Sequence, residues 1–175
     1  MTNLTMQRPD AGEYAPYFAK YVDLVPGSDL VGALRGQIGD TLATLRVVSD
    51  SDSLKRYADG KWSLREVVGH MIDTERIFAY RTLRIARGDE TPLPGFDQDP
   101  YIAAARFDER AWGSLLDEFE AVRRSNLFLF EGLDAEAWGR RGVSSGSPIT
   151  ARGLGFVIAG HELHHMRIVR ERYLA

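Results

Sequence analysis

The sequence predicts an all-α fold, a four-helix bundle, on three observations. Four long segments carry apolar residues at helical spacing, no stretch alternates in the manner of a strand, and the segments open or close on capping residues. A chain of 175 residues, 44% hydrophobic and 27% charged, is expected to form one domain spanning residues 1–175, with a core that needs no staples.

The first helix is expected from about Asp29 to Val48. Leu30, Leu34, Ile38, Leu42 and Leu45 form its stripe, and Ser28 or Asp29 caps it after Pro26-Gly27. Residues 1–27 form an N-terminal covering segment whose Tyr14, Tyr17 and Tyr21 shield part of the bundle. The second helix has the sharpest start. Ser63-Leu64-Arg65-Glu66 is a capping box, with Trp62 and Val67 at hydrophobic-staple positions. It should run to about Arg87 and stop at Gly88.

The third helix begins after Asp108, buries Trp112, Leu115, Leu116, Phe119, Val122 and Phe130, and ends at Gly132. Asp134 to Trp138 reads as one short extra turn. The fourth starts at Thr150, a good N-cap, and continues nearly to Ala175. Asp89 to Phe107 is a long link between helices two and three, and its prolines and glycine mark it as irregular. At about 3.3 Å per residue it could span a helix of about 36 Å, so helices two and three are free to run parallel.

Composition removes several classes of function. Cysteine is absent, which excludes disulfides, thiolate metal sites and a thiol nucleophile from the protein itself. The net charge of −3, with arginines interspersed among acids, gives no case for nucleic acid or an anionic membrane. No apolar run approaches the roughly 20 residues that span a bilayer. Met1 to Ala11 is polar and lacks the apolar core of a signal peptide, so the expected location is cytoplasmic.

Three of the four histidines fall within His161-Glu162-Leu163-His164-His165. At about 100° per residue, His161 and His165 lie within about 40° of each other, on the face that carries Leu154, Val157, Ile158 and Ile168. One inward histidine is commonly a hydrogen-bonded core residue. Two, one turn apart, have four ring nitrogens to satisfy, and that spacing lets both bind one metal ion. The segment also reads as H-E-x-x-H, the zinc-protease signature. Only ten residues follow His165 and none is histidine, which disfavours that reading. The third ligand is then His70, on the shoulder of the second helix's apolar stripe. Three nitrogens from two helices leave a coordination position open for water or substrate, the layout of a reactive site. His164 sits at the edge of the buried face as a boundary residue. Asp73 and Glu75 are expected in solvent-facing pairs with Arg76 or neighbouring arginines, with orientation of a ligand imidazole as the lesser role. For Glu162, a general base and an arginine partner are equally open.

Gly60-Lys61-Trp62-Ser63, Val68-Gly69-His70-Met71-Ile72-Asp73-Thr74-Glu75, Pro94-Gly95-Phe96-Asp97 and Ala159-Gly160-His161-Glu162-Leu163-His164-His165 together resemble the DinB/YfiT superfamily. The resemblance runs from about Tyr14 to Leu174. It implies a four-helix bundle of up-down-down-up topology, a divalent ion, usually zinc or nickel, on His70, His161 and His165, and a homodimer. Members with assigned activities include thiol-dependent transferases and isomerases. The leading expectation is a cytoplasmic enzyme acting on a small molecule, whose ion activates a low-molecular-weight thiol brought in as cosubstrate. A metal-dependent hydrolase and a non-catalytic metal-binding stress-response protein are the alternatives. No catalytic residue beyond the ligands is assigned.

Overall fold

The computed structural model describes residues 7–175; the first six residues of the polar N-terminus lie outside the described residues. Seven α-helices follow in order: α1 (Ala19–Val22), α2 (Leu30–Leu45), α3 (Leu64–Ala86), α4 (Gln98–Ala105), α5 (Trp112–Glu131), α6 (Ala135–Gly139) and α7 (Ala151–Ile168). A hairpin of β1 (Arg141–Ser144) and β2 (Ser147–Thr150) precedes α7, and Val169–Tyr173 continues that helix as a wider π-type turn. The four long helices α2, α3, α5 and α7 are the four read from the sequence.

Their starts follow from local chemistry. Asp29 accepts from the Gly32 amide at the head of α2. Ser63 and Glu66 close the capping box of α3 at 3.0 and 2.8 Å, and the Thr150 hydroxyl accepts from the Gly153 amide at 2.9 Å. Helix α5 begins at Trp112, a turn later than Asp108 suggests, because Phe107–Glu109 form a separate 3₁₀ turn. The first helix ends at Leu45 and not Val48.

Two elements depart from the reading of the sequence. The long link contains a helix, α4, capped by Asp97, and its Pro100 falls in the first turn, where a missing amide costs nothing. The chain also has strands: Arg141 to Ser144 pairs antiparallel with Ser147 to Thr150. Ser145 and Gly146, at φ 53° and 76°, form a tight two-residue turn of the kind that suits hairpins. Leu93 of the link hydrogen-bonds across to Val143 and Ser145, which fastens the link to this hairpin.

Helix α7 packs on α3 and α2, and α5 packs on α3 and α2. Thr41 of α2 meets Glu162 of α7, Tyr173 after α7 donates to the Trp62 carbonyl ahead of α3, and Arg76 of α3 meets Glu118 of α5. At the end of the bundle where Tyr173 meets Trp62, the Trp112 indole at the start of α5 donates to the Leu45 carbonyl at the end of α2, and Arg65 in the first turn of α3 donates to the Asp108 and Arg110 carbonyls ahead of α5.

The core is two apolar clusters rather than one. Leu34, Phe78, Phe130 and Val157 belong to the first, and Ile38, Met71, Phe119 and Met166 to the second. On three helices the changeover falls at buried polar residues: Thr74 and Glu75 on α3, Arg123 on α5, His161 and Glu162 on α7. A polar layer therefore divides the bundle.

The N-terminal segment docks on the same level. A Cβ at Gly160 would lie 2.0 Å from the Tyr21 carbonyl oxygen, so only glycine admits this close approach of α1 to α7. Of the three tyrosines expected to cover the bundle, Tyr21 is buried and Tyr14 half-buried, whereas Tyr17 is exposed.

Candidate metal centre

The capping box fixes where α3 begins, and His70 follows on its inward face, 4% exposed. The helix started by Thr150 brings His161, 6% exposed, and the partly buried His165 to the same point. The His161 Nε2 atom is 3.0 Å from His70 Nε2 and 3.1 Å from His165 Nε2. All three candidate ligand atoms lie within 4.8 Å of one another. The structure thus brings together the three histidines singled out from the sequence.

Protons alone satisfy this arrangement poorly. His161 Nε2 offers either one lone pair or one proton, and two other ring nitrogens converge on it. A cation about 2.0–2.1 Å from each nitrogen would accept all three lone pairs, and such bond lengths match nitrogen separations of about 3 Å. The residues therefore fit a divalent ion.

Burial is the main cause of the histidines' charge state. It lowers His70 to about 4 and His165 to about 3, and it drives His161 well below its ordinary value, with His165 and His70 adding repulsion. All three are neutral at pH 7, the form that binds metals. Since these values lie below the unfolded value of about 6.5, the unfolded chain protonates first as pH falls. The thermal midpoint of metal-stripped protein is expected to be flat above about pH 6.5 and to fall steadily below it. Calorimetry between pH 8 and 4 checks this; a midpoint unchanged down to pH 4.5 would contradict neutral burial.

His164 stays outside the cluster, edge-on to Tyr21 at 5.4 Å, as a boundary residue. Of the two roles open for Glu162, the arginine partner is the one observed. Its Oε2 accepts from Arg123 at 2.8 Å and its Oε1 from the Thr41 hydroxyl at 2.6 Å. Burial pushes its carboxyl up, against the lowering by Arg123 and Thr41.

Glu75 requires a correction. It does not face solvent beside Arg76, which pairs with Glu118 instead. Glu75 is 4% exposed and takes a two-pronged bond from Arg123, 2.8 Å on each oxygen, with Asn126 donating at 3.2 Å. Neither Asp73 nor Glu75 bonds a ligand imidazole among the described residues; the Thr74 hydroxyl instead lies 3.4 Å from His70 Nδ1. Arg123 is fully buried. Burial opposes its charge, but Glu75 and Glu162 outweigh that effect and raise its pKa.

Two pockets open onto the triad. One, of about 470 Å³, reaches His70 and His161 between Tyr17, Tyr21 and Phe78 on one side and Phe96 of the link on the other. A second, of about 460 Å³, reaches His165 past Lys61, Trp62 and Tyr173. Asp99 borders both. Arg81 and Phe96 line the first pocket; the sequence marks Phe96 only as part of Pro94-Gly95-Phe96-Asp97 and does not mark Arg81. Arg81 could have been found, since it lies eleven residues after His70 on the same face of α3.

A family model described as the DinB superfamily matches residues 33–169. Over 66 residues the chain is 33% identical to a protein of Oceanobacillus iheyensis provisionally named a metal-dependent hydrolase, a match covering 37% of this chain and 36% of that one. It is 26% identical over 133 residues to YfiT of Bacillus subtilis, which bears the same provisional name; that match covers 76% of this chain and 67% of YfiT. The alignment thus spans about a third of the first relative's length. Among solved structures, YfiT, described as a four-helix bundle of unusual topology, superimposes with a TM-score of 0.69 at 17% identity, covering 95% of this chain and 93% of that one. A mycothiol-dependent maleylpyruvate isomerase superimposes with a TM-score of 0.66 at 14% identity, covering 83% and 61%. At these identities the two structures establish a shared fold and nothing more.

Proposed function

The chain belongs to the DinB superfamily, and from that premise we propose that it is a metalloenzyme with a zinc or nickel ion on His70, His161 and His165 that activates the thiol of a small cosubstrate. The observation that carries this reading is the pair of pockets. Group transfer from a thiol needs room for two organic molecules at one centre, whereas hydrolysis needs room for one and a water. A pocket of about 470 Å³ reaches His70 and His161, one of about 460 Å³ reaches His165, and Asp99 borders both.

When bound, the ion would supply Lewis acidity, lowering the pKa of a thiol or water at its open position. The chain's own residues do the rest. His70 and His161 present their Nε2 atoms from two rigid helices, so the ligand set is held before metal arrives. The Trp62 ring, 5.0 Å from that of His70, and Tyr21, 5.4 Å from His161, place aromatic surface against the ligand set. With no cysteine in the chain, the thiol must be supplied.

The names of the two curated relatives favour a second reading, hydrolysis of a small substrate. A non-catalytic metal-binding protein is the third. The proposal also includes a homodimer in the cytoplasm, acting on a small molecule without nucleic acid or membrane. No helix among the described residues is long and apolar enough to cross a membrane. The up-down-down-up order of helices belongs to the same reading. It is supported by Tyr173 after α7 reaching back to Trp62 ahead of α3, by Trp112 at the start of α5 meeting Leu45 at the end of α2, and by Arg65 in the first turn of α3 donating to the Asp108 and Arg110 carbonyls ahead of α5.

The test is thiol conjugation to a chromogenic electrophile, with glutathione, cysteine, bacillithiol and mycothiol supplied in turn, with and without chelator. Turnover that needs both thiol and metal is expected. Metal-dependent turnover without thiol would replace this reading by the hydrolase.

A further inference from the structure

We infer that Arg81 is the anchor for an acidic group, a carboxylate or phosphate, on an apolar substrate that occupies the pocket beside His70 and His161. The inference rests on that pocket being the substrate's, as in the function proposed above.

Arg81 is 3% exposed, yet among the described residues no carboxylate pairs with it. The other deeply buried arginines are paired: Arg65 with Asp50, and Arg123 with Glu75 and Glu162. A buried cation without a counter-charge is costly, and burial indeed works against the Arg81 charge. The guanidinium is nonetheless firmly held. Its centre lies 5.3 Å from the Phe78 ring and 5.5 Å from the Phe96 ring, and Nη2 donates to the Pro94 carbonyl at 2.7 Å. A guanidinium carries five N–H donors, and the Pro94 bond uses one. Arg81 borders the pocket, so a planar fork, fixed by two rings and a carbonyl, is available to a ligand there.

The surroundings define what the ligand looks like. Phe18, Phe78, Phe96 and Tyr21 make much of the wall apolar, which suits an aryl or alkyl body between the acid and the reacting end. The acids of the rim do not neutralise Arg81: Asp97 accepts from the Asp99 amide as the cap of α4, and neither bonds the guanidinium. Arg81 lies about 16 Å along α3 from His70, and its side chain leans back toward the start of the helix. One ligand with its acid at Arg81 thus has its other end directed toward the histidines.

Calorimetric titration of 3-phenylpropionate, its neutral amide and phenyl phosphate into metal-stripped and zinc-loaded protein tests this. Wild-type protein is expected to bind at least one of the two acids tenfold or more tightly than the amide, and the tighter acid identifies the natural group. Arg81→Gln should abolish that preference while leaving the amide's affinity unchanged, and Arg81→Lys should restore part of it. Equal binding of acids and amide by wild type, retention of the preference in Arg81→Gln, or no binding of either acid at millimolar concentration would overturn the assignment. A purely structural strap to Pro94 would instead weaken acid and amide alike. If Arg81→Gln does not fold by circular dichroism, the wild-type ratio and Arg81→Lys decide. A preference present only with zinc would show the acid on the metal, which removes Arg81 and leaves the metal reading intact. A preference in protein that takes up no zinc would keep Arg81 and remove the metal.

Discussion

Replacing His161 by alanine is expected to weaken metal binding by about a hundredfold or more, which lowers occupancy from about half to a small fraction when free metal is buffered at the wild-type dissociation constant. The magnitude follows from the ligand count. Protein sites bind such ions with total free energies of about 10–16 kcal/mol when all ligands are in place, and His161 is one of only three here. It is also the central one, with both other nitrogens about 3 Å from its Nε2. The fold should survive, because the imidazole's side-chain partners are the other two histidines and the helices around it are held by the two apolar clusters. Elemental analysis and competition with a chromogenic chelator measure occupancy, and circular dichroism checks the fold. Unchanged metal affinity in His161→Ala, or in His70→Ala, would refute the ligand assignment.

Arg123→Leu is expected to destabilise the protein by about 3–5 kcal/mol, because it leaves Glu75 and Glu162 buried with no cation between them. For a chain of this size that corresponds to a fall in thermal midpoint of roughly 6–20 °C. The triple variant Arg123→Leu, Glu75→Gln, Glu162→Gln should recover much of the loss, since neutral amides can bond each other, Thr41 and Asn126. Scanning calorimetry of the two variants measures both effects. A single variant as stable as wild type would mean that water or a rearrangement solvates the carboxylates.

What the sequence made legible, and what it hid, follows from how each signal is encoded. The four long helices were readable because capping and periodicity are local: Ser63 with Glu66, and Thr150 with Gly153, act within one turn. The triad was readable because His161 and His165 share one helix face, and only one histidine was left to complete it. Helix α4 was hidden because prolines and acids read as breakers, although Pro100 is harmless in a first turn. The hairpin was hidden because strands of four residues are too short to show alternation, and its register depends on a turn at Ser145-Gly146.

Arg123 was missed for a different reason. It lies four residues after Phe119 and seven before Phe130, squarely on the core face of α5, yet an arginine is usually read as exposed. Its burial depends on carboxylates from two other helices, and no periodicity within one helix can show that. Glu75 was misplaced for the same reason.

The walls of the first pocket come largely from parts of the chain outside the four long helices. Tyr17, Phe18 and Tyr21 belong to the N-terminal segment, Phe96 to the link, and Ser145 to the hairpin turn. The histidines, by contrast, sit on α3 and α7, where the polar layer and both apolar clusters hold them. Apart from Phe78 and Arg81, which stand on α3, the parts that shape the pocket are thereby separated from the parts that would hold the ion. Drift in surface segments can change which molecule is admitted while the chemistry passes on unaltered, so one scaffold can diversify into many specificities without ever being rebuilt.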